Sequence, residues 1–186
     1  METEVSVSEV ERKVGRDVIL FQRFEAVLKF ILSKREYEGA YAEIASVMKA
    51  KRGALEMQTL GNLAKRYAFE VHKPEPKHRH EPDVTPDDGP EFSFSFHVIS
   101  NPEDSEKRAK ELAALVSERN YLVHQVLANY QESDVQQRAQ VSEYLDSQYQ
   151  KINAEYQAAL QLVKVMRESL EHSLRLVLAD IEKNGQ

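Results

Sequence analysis

Apolar residues recur every three or four positions along most of this chain, the spacing of helices that bury one face. Val10, Val14, Val18, Phe21, Phe24, Leu28, Ile31 and Leu32 form the first such stripe. Ser8 is the expected N-cap, with Glu11 three residues on as in a capping box. Gly39 is expected to end that segment. Two shorter helices are expected over 40–51 and 56–67, separated by Gly53. Their apolar positions (Ile44, Val47, Met48; Leu60, Leu63, Ala64) suit a small helical hairpin.

The pattern then breaks. Residues 73–91 read KPEPKHRHEPDVTPDDGPE and hold five of the six prolines with almost nothing apolar, so a flexible excursion is expected there. Short alternating runs flank it: Tyr67–Val71 before, and Phe92–Val98 after, the latter with three Phe on one face. A lone strand is unstable, so the runs pair as a β-hairpin, either within the chain or across a dimer.

Helical spacing returns at Asn101, an N-cap candidate followed by Pro102, Glu103 and Asp104. This fourth helix is expected to reach about Tyr130. From Ser133-Asp134 no proline or glycine intervenes until Gly185, and Val141, Leu145, Ile152, Ala159, Met166, Leu170, Val177 and Ile181 lie on one stripe. That is one very long helix or two collinear ones, long enough to project beyond a small bundle. The expected fold is all-α: an antiparallel helical bundle with a long C-terminal helix, a small helical insertion and a short β-hairpin. One domain spans 1–186, with 40–100 as the insertion.

Composition narrows the chemistry. With 186 residues and a hydrophobic fraction of 41%, the chain can bury a core of its own. Zero cysteines exclude disulfides, thiolate metal sites and cysteine nucleophiles. The net charge of -6 argues against broad coating of nucleic acid. The segments 1–46, 47–72, 73–100 and 101–186 carry about -2, +3, -3 and -4, so the basic exception is 47–72. No run approaches ~18 apolar residues, and METEVSVSEVE lacks the order of a signal peptide, so no membrane association and a cytoplasmic location are expected.

The fourth helix carries Glu118-Arg119-Asn120-Tyr121-Leu122-Val123-His124. At 100° per residue, Leu112, Leu115, Val116, Leu122, Val123, Val126, Leu127 and Tyr130 define its apolar face, with Arg119 near the middle. Asn120 and His124, four apart, share one edge. An arginine in a buried stripe needs a carboxylate, a phosphate or a water-filled cleft. The first helix offers Asp17 inside its stripe and Glu25 at its edge, so an Asp17–Arg119 or Glu25–Arg119 pair is one expectation. The bland reading of such a pair is an interhelical ion pair with no further role.

Arg119-Asn120-x-x-x-His124 resembles the signature of the HEPN superfamily, all-α domains that act on RNA. Arg66…His72 and Arg167…His172 have related spacing, but neither has Asn after Arg; the first runs toward the proline-rich segment, and His172 points off its apolar face. The resemblance covers the first helix, the fourth and the start of the last, and leaves 40–100 unexplained. It implies a toxin-like, metal-independent endoribonuclease or an RNA-binding domain, with no cofactor and no metal. The RNA 2′-OH would be the nucleophile. His124 would act as general base or acid, Arg119 would stabilise charge on the phosphorane oxygens, and Asn120 would orient His124 or a phosphate oxygen. It also implies a homodimer in which two motifs face each other.

Lys49, Lys51, Arg52, Lys65 and Arg66 are the candidate RNA-binding cations, and their bland reading is a solvated helical surface. His72, His78 and His80 could in principle hold a metal, but histidines in an acidic loop are usually just solvated. The rival to the RNA reading is a non-catalytic interaction protein. In it the last helix forms a coiled-coil-like dimer or binds a protein partner, and Arg119 is structural.

Overall fold

The computed structural model describes residues 4–40, 43–74 and 91–184; within the last stretch, side chains are described for 93–176. The proline-rich excursion therefore lies outside the described residues except at its ends, and so do His78 and His80.

The chain folds as a mostly all-α bundle. Helix α1 spans Val7–Lys34 and starts two residues earlier than expected. Ser6, not Ser8, is the N-cap, and its hydroxyl accepts from the Glu9 amide at 3.2 Å. The predicted stripe is inward-facing: Val10, Phe21, Phe24, Leu28, Ile31 and Leu32 are all buried.

The segment after α1 corrects the sequence reading. Residues Glu36–Ala40 form strand β1, where only a helix end at Gly39 was expected. Gly39 has φ +140°, a backbone that side chains avoid, and the Tyr37 hydroxyl packs 3.3 Å from where its Cβ would be. Strand β1 pairs antiparallel with β3 (Glu91–Ser95), with Tyr37 opposite Phe94. The alternating run before the excursion is thus not the partner. Tyr67–Val71 is a π-helical turn that continues the helix Leu60–Arg66, and Tyr67, Ala68 and Val71 are buried. Five residues of mixed apolar pattern fit either period, and the preceding helix decides between them. Beyond it, β2 (His72–Lys73) pairs parallel with β4 (Val98–Ile99).

Helix α2 spans Ile44–Glu56 and α3 spans Leu60–Arg66. Gly53 lies inside α2 rather than between the helices, and Thr59 caps α3. Their residues Leu55, Leu60, Leu63 and Ala64 join the main core with α1, so this segment forms core rather than an appendage.

Helix α4 runs Pro102–Tyr121, capped by Asn101, whose side chain accepts from the Asp104 amide at 2.8 Å. It passes through a second π turn, Leu122–Val126, and a short α5 (Leu127–Asn129). Helix α6 is continuous from Val135 to Asn184, 50 residues and about 75 Å long. Its last buried position among the described side chains is Met166, so its C-terminal part extends past the core. No helix among the described residues is long and apolar enough to cross a membrane.

Contacts fix the directions. Lys13 meets Ser142 and Asp146, and Arg16 meets Leu145 and Asp146, so α1 and α6 run parallel. Arg108 meets Glu155 while Glu118 meets Lys151, so α4 runs antiparallel to α6. A main core surrounds Phe24, Leu28, Leu63, Leu112 and Ile152. A smaller one joins Val10, Leu122, Val141 and Leu145 at the other end, where Arg138 ties down the Val5 carbonyl and Glu4.

Candidate functional site

Helix α4 presents the motif at its C-terminal end. Leu122 beneath it is fully buried in the smaller core and anchors the turn. Arg119 is half-buried, and its Nη1 donates to Asn120 Oδ1 at 3.1 Å. Asn120 and His124 are exposed. Among the described residues, no carboxylate lies within ion-pair distance of Arg119.

The backbone here is not a regular helix. The Leu122 amide is shared between the Arg119 and Glu118 carbonyls, and the Leu127 amide reaches Leu122 in a five-residue step. Such π turns cluster at functional sites. In an α-helix, five residues advance about 140° beyond a full turn. A π turn advances less per residue, so the wheel angle between Arg119 and His124 differs from that of a regular helix.

Tyr144 of α6 braces this bend. Its hydroxyl donates to the Glu118 carbonyl at 3.1 Å and accepts from Gln148 Nε2 at 3.1 Å, and its ring meets Tyr121 edge-on at 5.9 Å. Burial, reinforced by the Glu118 carboxylate, pushes the Tyr144 phenol up to about 12, so it stays a neutral donor. Glu118 itself pairs with Lys151 at 2.6 Å.

The expected Arg119–carboxylate pair is not formed. Glu25 lines the same narrow cleft as Arg119, with Val18, Gln22 and Leu60, but its carboxylate is held by Lys29 one turn on, at 2.8 Å. This cleft has a volume of about 50 Å³, room for water rather than a ligand. Asp17 is fully buried but faces α6: its Oδ1 accepts from Arg16 Nε at 2.8 Å. Asp17 also lies close enough to Tyr144 of α6 to help raise its phenol, with no ion pair to Arg119.

Asp17 belongs to a polar cluster that the sequence reading missed. Lys13 Nζ reaches Asp146 and Ser142, both at 2.6 Å, and Arg16 lies over the Tyr149 ring at 4.0 Å. Burial raises the Asp17 pKa despite Arg16 beside it. Burial also pushes Asp146 up, but hydrogen bonds from Lys13 and Arg16 outweigh it and hold its carboxyl below the ordinary value. The signal was present as Lys13, Arg16 and Asp17 together with Ser142 and Asp146, each set at helical spacing along an apolar stripe.

A second cluster holds α4 to α6 and α3. Arg108 grips Glu155 through both terminal nitrogens and lies 5.9 Å from the Tyr67 ring. His72 meets Tyr67 edge-on at 5.1 Å, and its carbonyl accepts from the Ser105 hydroxyl at 2.8 Å. Burial, helped by the Arg108 charge, lowers the His72 pKa. On α4 it is this arginine, not Arg119, that makes an interhelical carboxylate pair.

The five candidate cations do not form one patch. Lys49 and Arg52 line one cavity, and Lys65 lines another. Lys51 donates to the Glu36 carbonyl at 2.9 Å, and Arg66 pairs with Glu70 at 2.6 Å. None of the five lines the Arg119 cleft. The two alternative Arg…His spacings resolve differently again, since Arg66 is committed to Glu70 and Arg167 to Glu171. Among the described residues, no group of three or more histidines or carboxylates is arranged to hold a metal.

Comparison with known proteins finds no family model, no curated protein and no solved structure that matches the chain.

Proposed function

We propose that this protein is a HEPN-like RNA-acting domain, a metal-independent endoribonuclease or RNA-binding module that works as a homodimer. The observation that carries the reading is the state of the motif side chains. Arg119 keeps its guanidinium uncommitted to any described carboxylate and donates to Asn120, and His124, five residues on, is solvent-exposed. A purely structural arginine half-buried in a helix bundle would be expected to hold a counter-ion, as Arg108 does with Glu155.

In this reading, an RNA phosphate docks at the Arg119 edge. The adjacent 2′-OH attacks phosphorus, leaving a 2′,3′-cyclic phosphate and a free 5′-OH. Arg119 neutralises charge on the phosphorane oxygens. His124 moves one proton, either from the attacking 2′-OH or to the departing 5′-oxygen. One imidazole per chain serves one of these transfers, and a second copy would supply the other. Glu25 and Glu118 near the motif are paired with Lys29 and Lys151, so neither sets an uncompensated negative charge against a phosphate.

The test is cleavage of end-labelled RNA in EDTA. Wild type should cleave, and Arg119→Ala and His124→Ala should lose at least ~100-fold in rate with unchanged thermal melting. Wild-type cleavage by His124→Ala would sink the catalytic reading. RNA binding without cleavage, lost in Arg119→Ala, would leave the binding form.

The interaction-protein reading draws on the reach of α6, where Val165 and Leu176 are 48% and 59% exposed. A dimer held by α6, with no RNA binding at all, would favour it.

A further inference from the structure

A groove of about 410 Å³ opens between the C-terminal end of α1, strands β1 and β3, helix α2 and the distal part of α6. Its walls are apolar, with Phe30, Met48, Phe94, Met166 and Leu170 among them. Apart from the Tyr37 hydroxyl, the polar groups on the lining belong to Lys34 and Arg167, both cationic. A second cavity of about 540 Å³ adjoins it, sharing Phe30, Lys34, Ile44 and Met48. That cavity adds Lys49 and Arg52, neighbours three apart on α2. Lys34, Lys49 and Arg52 have no carboxylate partner among the described residues. The one carboxylate on either lining is Glu56.

We infer that this groove binds a single-chain anionic amphiphile, a long-chain fatty carboxylate. Its tail lies along Phe30, Met48 and Met166, and its head meets Lys34 and the Lys49–Arg52 pair. The volume is that of a small-molecule site. Methionines on both walls adapt to a flexible chain. Arg167 is paired with Glu171 and Glu56 borders the second cavity, so the charge complementary to an anionic head comes from Lys34, Lys49 and Arg52.

A second copy is a poor occupant. A symmetric contact through this face would set Lys34, Lys49 and Arg52 against the same cations. The groove shares no lining residue with the Arg119 cleft, and the only overlap of the groove and its adjoining cavity with the RNA reading is Lys49 and Arg52, two of the candidate RNA-binding cations.

The test is calorimetric titration of the full chain with octanoate, decanoate, laurate and myristate, each below its micelle concentration. Saturable binding at one site is expected, tightening about fourfold per added methylene until the groove is filled. Dodecylammonium, with the same tail and opposite charge, should bind at least tenfold more weakly than laurate. A Lys34→Glu, Lys49→Glu double variant changes two surface charges outside the core. It should weaken laurate at least tenfold while keeping the helical circular dichroism and the chain-length trend. Leu170→Trp, on the outer wall, should cap the gain at a shorter chain. Absence of saturable laurate and myristate binding would overturn the inference. So would equal binding of dodecylammonium, or unchanged laurate affinity in the double variant. A concentration-dependent rise in mass that laurate does not reverse and the double variant abolishes would replace the amphiphile with a second copy.

Discussion

Asp17→Asn tests the buried polar cluster most directly. Asp17 is fully buried, its Oδ1 accepts from Arg16, and its Oδ2 is buried without a partner. When ionised, the side chain leaves that second oxygen charged and unsatisfied, a loss of about 1–3 kcal/mol. Asn keeps the shape and the Oδ1 acceptor, and it places a neutral amide where Oδ2 was. Against this, the Arg16 hydrogen bond loses its charge assistance, about 1 kcal/mol. The net expectation at pH 8 is an Asn variant about as stable as wild type or up to ~2 kcal/mol more stable. Asp17→Ala, which also strips Arg16 of an acceptor, should fall by about 2–3 kcal/mol. The pH dependence carries the sign. Burial raises the Asp17 pKa in the folded state. Its contribution to stability is therefore complete below the unfolded value and is lost as pH rises through the folded one. Asn does not titrate, so the gap between Asn and wild type should open on the alkaline side and close toward pH 4. Urea unfolding from pH 4 to pH 8, with slopes checked for constancy, measures it. An Asn variant more than ~1 kcal/mol less stable at pH 8, by an amount independent of pH, would refute the argument. It would mean that the ionised carboxylate is fully satisfied.

Arg108→Ala should cost about 2–4 kcal/mol in urea unfolding, somewhat under a fully buried pair, because it leaves Glu155 without its partner and uncovers Tyr67. Pairing Arg108→Met with Glu155→Leu should recover most of that loss, and failure to recover would mean that the geometry of the pair itself stabilises the fold. Gly39→Ala should lose about 1–3 kcal/mol through its φ of +140° and the crowding against Tyr37, whereas Gly53→Ala, inside α2 with open space around it, should gain up to ~1 kcal/mol. Thermal melts of the two glycine variants moving in the same direction would contradict both assignments.

Much of the fold was legible because it is local. The stripe of α1, the Asn101-Pro102 start of α4 and the unbroken spacing of α6 each follow from periodicity and capping, which need no knowledge of neighbours. Where the reading failed, the local signal fitted two structures. Tyr67–Val71 alternates well enough for a strand, yet α3 feeds straight into it and the core takes Tyr67, Ala68 and Val71 from one wide turn. Glu36–Ala40 looks like a helix end at a glycine, and it becomes a strand only because β3, more than fifty residues later, supplies its hydrogen bonds.

The site divides the same way. The sequence by itself determined that Arg119, Asn120 and His124 lie within six residues of one helical stretch, and that the chain has no thiol with which to do chemistry; that the motif ends α4 and runs into a π turn was set by the structure. A helical wheel says which face a side chain takes, but not which helix lies opposite. Only the tertiary structure decided that α1 runs parallel to α6, which sets Ser142 and Asp146 against Lys13 and Arg16, whereas Glu25–Lys29 is a pair within α1 itself. Tertiary packing also put Lys49 and Arg52 on one cavity, Lys65 on another and Lys51 against the Glu36 carbonyl, and it braced the π turn at Leu122–Val126 with Tyr144. Charge pairing and groove formation depend on distances between elements remote in sequence, and those distances exist only once the helices have packed.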